Sequence, residues 1–157
     1  MAHYQLRREQ TLPISISQAW EFFSAPDNLK AITPPYMGFE TLTQPESEKM
    51  FPGQIVTYYI RPVLGIKIFW MTEITHVRHE DYFVDEQRYG PYAFWHHTHF
   101  FKAVPGGVHM TDLVHYKLPF GILGRLVHRL FIQRQLKQIF DFRHQFLLRK
   151  FGSAVAR

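Results

Sequence analysis

The 157-residue sequence predicts an α+β domain in which one antiparallel sheet buries a face against a long C-terminal helix. Three observations predict it. From Gly38 to Leu118 the apolar residues recur mainly at every second position, the period of half-buried strands. From Ile122 to Lys150 the period lengthens to that of an amphipathic helix. Between the opening strand and this sheet lie two short stretches of helical spacing cut by prolines.

Tyr4 to Ile14 alternates as a first strand, ended by Pro13 and the serines that follow. Ser17 can cap a short helix in which Trp20 and Phe23 share a face. Pro26-Asp27 breaks it and starts a second short helix through Leu29 and Ile32, which Pro34-Pro35 closes. Six strands follow: Phe39–Thr43, Gln54–Ile60, Ile66–Val77, Tyr82–Arg88, Phe94–Val104 and Val108–Leu118, separated by Gly, Pro and charged turns. After Pro119 and Gly121 the last segment places Leu123, Val127, Leu130, Leu136, Phe140 and Leu147 on one stripe. As one uninterrupted helix it would run ~44 Å. No repeat, low-complexity tract or linker divides the chain, so residues 1–157 are expected to form one domain.

Composition narrows the classes. With no cysteine there are no disulfides, thiolate metal sites or cysteine nucleophiles, which suits a reducing compartment. The opening "MAHYQLRREQ" has no apolar h-region, and no apolar run approaches ~20 residues, so a cytoplasmic protein is expected. The net charge of +5 comes from one place. Between residues 122 and 150, Arg125, Arg129, Arg134, Lys137, Arg143, Arg149 and Lys150 face a single acid, Asp141. No nucleic-acid motif accompanies this basic helix, so no nucleic acid is expected as a partner. Its cations are read as a solvated outer face, with contact to a membrane surface as a second choice.

The stretch "FVDEQRYGPYAFWHHTHFF", 83–101, mixes polar groups with aromatics. A two-residue Gly106-Gly107 turn would pair Phe101 with Asp112, His99 with Val114 and His97 with Tyr116. Symmetric closure of the loop "YGPYA" pairs Asp85 with His97 and Phe83 with His99. One sheet face would then carry Phe83, Asp85, Gln87, Trp95, His97, His99, Phe101, Asp112, Val114 and Tyr116, with Asp85, His97 and Tyr116 in a row across three strands.

"DNLKAITPP", "WMTEI", "FVDEQ", "GPYAFWHHTHFF", "MTDLVHYKLPFGILG" and "IFDFR" together resemble the ligand-binding SRPBCC family, START-like and polyketide-cyclase-like. Within it they are most similar to a bacterial branch of small stand-alone proteins, found also fused to NAD-binding epimerase-like domains and sometimes labelled cell-division inhibitor. The resemblance spans nearly the whole chain. It implies a helix-grip fold: a curved seven-stranded antiparallel sheet around a long C-terminal helix, two short helices after the first strand, and an apolar cavity between sheet and helix. No G-x-G-x-x-G occurs, so no fused epimerase domain is expected.

The expected function is binding of a small, largely apolar ligand, lipid-, quinone- or polyketide-like. Asp85, Gln87, His97, His99, Asp112 and Tyr116 would orient its polar end, and Trp70, Phe83, Trp95 and Phe101 would pack its body. Catalysis is the alternative, with His97, Asp85 and Tyr116 as a cyclase, dehydratase or hydrolase row, but no nucleophile motif supports it. A regulatory role rests on the family label alone. His97-x-His99 could bind metal, yet Phe100 to Val104 supplies no carboxylate downstream, so neither metal nor cofactor is expected.

Overall fold

A computed structural model of the chain describes residues 2–42, 49–62 and 64–152. Strand β1 (Tyr4–Leu12) leads into helices α1 (Ile16–Phe23) and α2 (Asn28–Ala31) and a 3₁₀ turn at Pro35–Met37. Strands β2 (Glu40–Thr41), β3 (Ile55–Ile60), β4 (Ile68–Arg78), β5 (Tyr82–Tyr89), β6 (Phe94–Val104) and β7 (Gly107–Lys117) complete one antiparallel sheet in the order β1-β7-β6-β5-β4-β3-β2. Helix α3 (Gly121–Val127), a π-helical turn (His128–Ile132) and helix α4 (Gln133–Phe151) close the chain. The expected architecture, a curved seven-stranded sheet gripping a C-terminal helix, is the one found. The expected strand at Phe39–Thr43 is reduced to two residues, and Thr43 lies outside the described residues.

Local chemistry sets the boundaries. Helix α1 is capped two residues before Ser17: Ser15 Oγ accepts from Gln18 N at 3.1 Å while Gln18 Oε1 accepts from Ser15 N at 3.0 Å, a reciprocal cap. Register shifts at Met71/Thr72 and Ile74/His76 in β4 let the sheet bend around the helix.

The β6–β7 register differs from the sequence expectation by two residues. The turn is Pro105-Gly106, not Gly106-Gly107, so His97 pairs with Val114, His99 with Asp112, Phe101 with Met110 and Trp95 with Tyr116. Proline followed by a glycine at φ +81° suits a tight turn of type II. Gly107 already belongs to the ladder, and its bareness has another cause: a Cβ there would sit 2.0 Å from the Leu12 carbonyl oxygen of β1. A slip of two keeps every side chain on its face but changes its partners. The expected Asp85–His97–Tyr116 row therefore does not exist.

The C-terminal stripe is also corrected. Leu136, Phe140 and Leu147 are buried, whereas Leu123, Val127 and Leu130 are exposed. The π-helical turn holds Leu130 and separates Leu123 and Val127 from the buried set, and a wider turn rotates one half of a helical stripe relative to the other. Arg143, expected on an outward basic face, is 8% exposed and lies on the inner stripe with Phe140 and Leu147.

The interior has two apolar clusters. Leu12, Trp20, Phe23, Phe83, Phe101, Met110 and Leu147 form one under α1. Ile60, Trp70, Trp95, Val114, Leu136 and Phe140 form the other under the start of α4. Along β6 the inward side chains run Trp95, His97, His99, Phe101, and along β7 Val114, Asp112, Met110. A polar layer therefore divides two apolar ones.

Candidate functional site

That polar layer is built from three strands and one helix. Strand pairing sets Asp85 opposite His97 and His99 opposite Asp112, and α4 lowers Arg143 onto them. His97 Nε2 lies 2.9 Å from Asp112 Oδ1, and His99 Nε2 lies 2.9 Å from Asp85 Oδ2. The second ring nitrogens also face carboxylates: His97 Nδ1 is 3.4 Å from Asp85 Oδ2, and His99 Nδ1 is 2.8 Å from Asp112 Oδ1, though off the line of a hydrogen bond. Arg143 donates to Asp112 Oδ1 at 3.0 Å and its guanidinium stands 5.0 Å from the Phe140 ring centre.

The charges balance only with one extra proton. Two carboxylates oppose one guanidinium, so one imidazole must be cationic for the layer to be neutral. Burial alone pushes His99 down, but the carboxylates of Asp112 and Asp85 beside it outweigh that and raise its pKa. Burial and the neighbouring His99 charge lower that of His97. Burial would raise both carboxyls. His97, His99 and Arg143 hold Asp85 below its ordinary value, and Arg143 with the two imidazoles holds Asp112 well below the usual carboxylate range.

One side of this layer opens on a cavity of ≈ 450 Å³ between the sheet and the C-terminal helices. Its walls are mostly apolar and aromatic, including Phe23, Tyr58, Trp70, Phe83, Trp95 and Phe140, and its polar end is Asp85, His97, His99 and Arg143. Trp70 and Trp95 meet edge to face, with centroids 5.5 Å apart. Trp95 Nε1 reaches Asp85 Oδ1 at 3.4 Å, but the buried Trp70 Nε1 has no acceptor among the described residues.

Of the ten residues expected to bind ligand, Trp70, Phe83, Asp85, Trp95, His97 and His99 line this cavity. The other four do different work. Gln87 clamps the loop before β6, donating to the Tyr92 carbonyl at 2.7 Å and accepting from Tyr92 N at 3.2 Å. Phe101 packs on Trp20 and Phe23 beneath α1. Asp112 stands behind the imidazoles. Tyr116, its phenol pushed up to about 12 by burial, shares a hydrogen bond of 2.8 Å with His128 Nε2. His128 also stacks on Tyr4, with centroids 3.5 Å apart, pinning the π-helical turn to the sheet edge.

Sequence reasoning missed Arg143, Tyr58, Tyr92 and Phe140. For Arg143 a signal existed: the spacing Leu136, Phe140, Arg143, Leu147 puts one cation on an apolar stripe.

No family model matches the chain, and no curated protein matches it. Solved structures do. A protein of Thermus thermophilus superposes with a TM-score of 0.68 at 16% identity, covering 94% of this chain and 99% of that one. Ara h 8.0201 superposes with a TM-score of 0.62 at 13% identity, over 94% and 99%. What they share with this chain is the fold, a curved antiparallel sheet gripping a long C-terminal helix. A nucleoside-diphosphate sugar epimerase from Corynebacterium glutamicum is 19% identical, with a TM-score of 0.63; the match covers 92% of this chain but 28% of the epimerase. At these identities the likeness is one of fold. No described helix is long and apolar enough to cross a membrane.

Proposed function

We propose that this protein binds a small, largely apolar molecule in the cavity between sheet and C-terminal helix. The carrying observation is the cavity itself: ≈ 450 Å³ walled largely by aromatic and aliphatic side chains, with Asp85, His97, His99 and Arg143 gathered at one end. A drug-sized ligand fills ~300–1,000 Å³. The rings in the wall favour a flat or unsaturated body. At the polar end Asp85, His97 and His99 meet the ligand's oxygen functions, and Trp70 Nε1–H offers a free donor to a carbonyl. The fold of Ara h 8.0201 and the bacterial structures supports this reading at the level of architecture.

The surface around α3 supports a membrane as the source of such a ligand. Phe120, Ile122, Leu123, Leu126, Leu130 and Phe131 are exposed, Phe120 by 80% and Ile122 by 76%. A contiguous exposed apolar patch of this kind marks an interaction surface. Arg125, Arg129 and Arg134 are exposed beside it, and Phe120, Leu123 and Val127 also line the cavity. An apolar face flanked by arginines fits an anionic bilayer.

The experiment is saturable binding of 1-anilinonaphthalene-8-sulfonate to the detergent-free protein, repeated with Ile139→Trp, which fills the cavity wall. One site per chain, lost in the filled variant, is expected. Binding that Ile139→Trp leaves unchanged places the dye outside the cavity and removes the support.

A further inference from the structure

We propose that Asp85, His97 and His99 form the protein half of a divalent transition-metal site at the polar end of the cavity, with Asp112 behind them and Arg143 anchoring Asp112. The sequence offered no carboxylate after the His97-x-His99 pair but did set Asp85 across from His97, and β5 brings it there.

Three features of the geometry carry this. First, one ligand atom from each of Asp85, His97 and His99 can be chosen so that all lie within 4.8 Å of one another. Asp85 Oδ2 stands 2.9 Å from His99 Nε2 and 3.4 Å from His97 Nδ1. Metal–ligand bonds of about 2.0–2.2 Å place neighbouring ligands about 3.0–3.4 Å apart, close to these two distances.

Second, both outer nitrogens face a carboxylate, and that of His97 is already hydrogen-bonded to it. A ligating histidine commonly gives its other N–H to a carboxylate, which fixes ring and tautomer. Here His97 Nε2 and His99 Nδ1 both face Asp112 Oδ1, at 2.9 and 2.8 Å, and Arg143 anchors that oxygen at 3.0 Å. With its Nε2–H given to Asp112, His97 turns the lone pair of Nδ1 toward the Asp85 carboxylate. Two acceptors then face each other, an arrangement that a cation bridges.

Third, the layer has a front and a back. Asp85, His97 and His99 line the cavity, whereas Asp112 does not. Open coordination positions would face the apolar space. With neutral imidazoles, two carboxylates, Arg143 and a divalent ion sum to one positive charge. The completing ligand is therefore an anionic oxygen, such as a phenolate, enolate or carboxylate, on an otherwise apolar molecule. This last step rests on the cavity being a ligand site; the metal site does not.

The test uses the full chain after chelator treatment, with no organic ligand added, so it can fail without touching the dye-binding result. Zn²⁺ titration by calorimetry is expected to give one site per chain, and Co²⁺ to give visible d–d bands. Asp85→Asn and His99→Gln should each abolish it, and Asp112→Asn should weaken it by about 10- to 100-fold. His96→Gln, on the outer face of the sheet, should leave it intact. Since the buried variants can misfold, imidazole nitrogen spectra of the wild-type protein provide the second readout: Zn²⁺ should shift His97 and His99. No binding, or shifts confined to His3, His96 and His115, overturns the proposal.

Discussion

His97 and His99 lie side by side at a 37° tilt, ring centroids 3.7 Å apart, and both come within 2.9 Å of the same oxygen of Asp112. Imidazoles this close cannot both carry charge cheaply. Their pKa directions are opposite: burial and then the His99 charge lower His97, and the two carboxylates raise His99. Two carboxylates and one guanidinium bracket the pair, so the layer acts as one unit, and removing any member exposes the rest.

Arg143 gives the sharpest case. Arg143→Met keeps most of the volume on the inner stripe but leaves Asp112 buried beside too little positive charge. A loss of about 3–5 kcal/mol is expected by urea denaturation. Adding Asp112→Asn to Arg143→Met should restore much of it. If the single variant is as stable as wild type, the ion pair is dispensable.

Stability of the metal-free protein should fall on both sides of neutrality. Asp85 and Asp112 have lowered folded pKa values, so their contribution is complete above the unfolded value of ~3.9 and is lost as pH falls through the folded ones. His99 has a raised folded pKa. Its contribution is complete below ~6.5 and is lost as pH rises through that folded value. Unfolding free energy measured against pH should show a dome, and His99→Gln should flatten its alkaline limb.

Gly107 and Gly106 should respond differently to alanine. A Cβ on Gly107 would meet the Leu12 carbonyl oxygen at 2.0 Å, a backbone atom that can move only if β1 parts from β7. A Cβ on Gly106 meets nothing within 4 Å and bears only the strain of φ +81°. Gly106→Ala should cost about 1–2 kcal/mol. Gly107→Ala should cost more, and hydrogen exchange should show β1 opening. Equal costs would contradict the assigned turn.

The α3 surface predicts vesicle binding. The protein should sediment with anionic liposomes more than with neutral ones, and less as salt rises. Ile122→Asp with Leu123→Asp should abolish this while leaving the melting temperature within about 2 °C, since both side chains are exposed. Undiminished sedimentation would place the membrane contact elsewhere.

The fold was legible because period and punctuation agreed from end to end. Alternation marked the long strands β4 to β7, prolines cut the two short helices, and "PGG" and "YGPYA" marked the hairpins. The site was legible by face and not by partner. Alternation alone put Asp85, His97, His99 and Asp112 on one side of the sheet. Which of them touch depends on whether Pro105 or Gly107 belongs to the turn, and two adjacent glycines admit both readings. Gly107 is glycine because of Leu12, a residue on a strand at the far end of the chain, and no local pattern encodes that. Arg143 was hidden for a related reason: in a segment rich in cations, one inward arginine looks like its neighbours unless the stripe through Leu136, Phe140 and Leu147 is followed. The π-helical turn at His128–Ile132 then shifts that stripe in a way no sequence period shows.

Native mass spectrometry of the protein purified without detergent tests the central claim most directly, with Ile139→Trp run alongside. The wild-type chain should carry a non-protein mass that organic extraction removes, and the filled variant should fly as bare polypeptide. Bare polypeptide in both, with no uptake when apolar compounds carrying an acidic oxygen are added, would contradict a ligand-binding cavity.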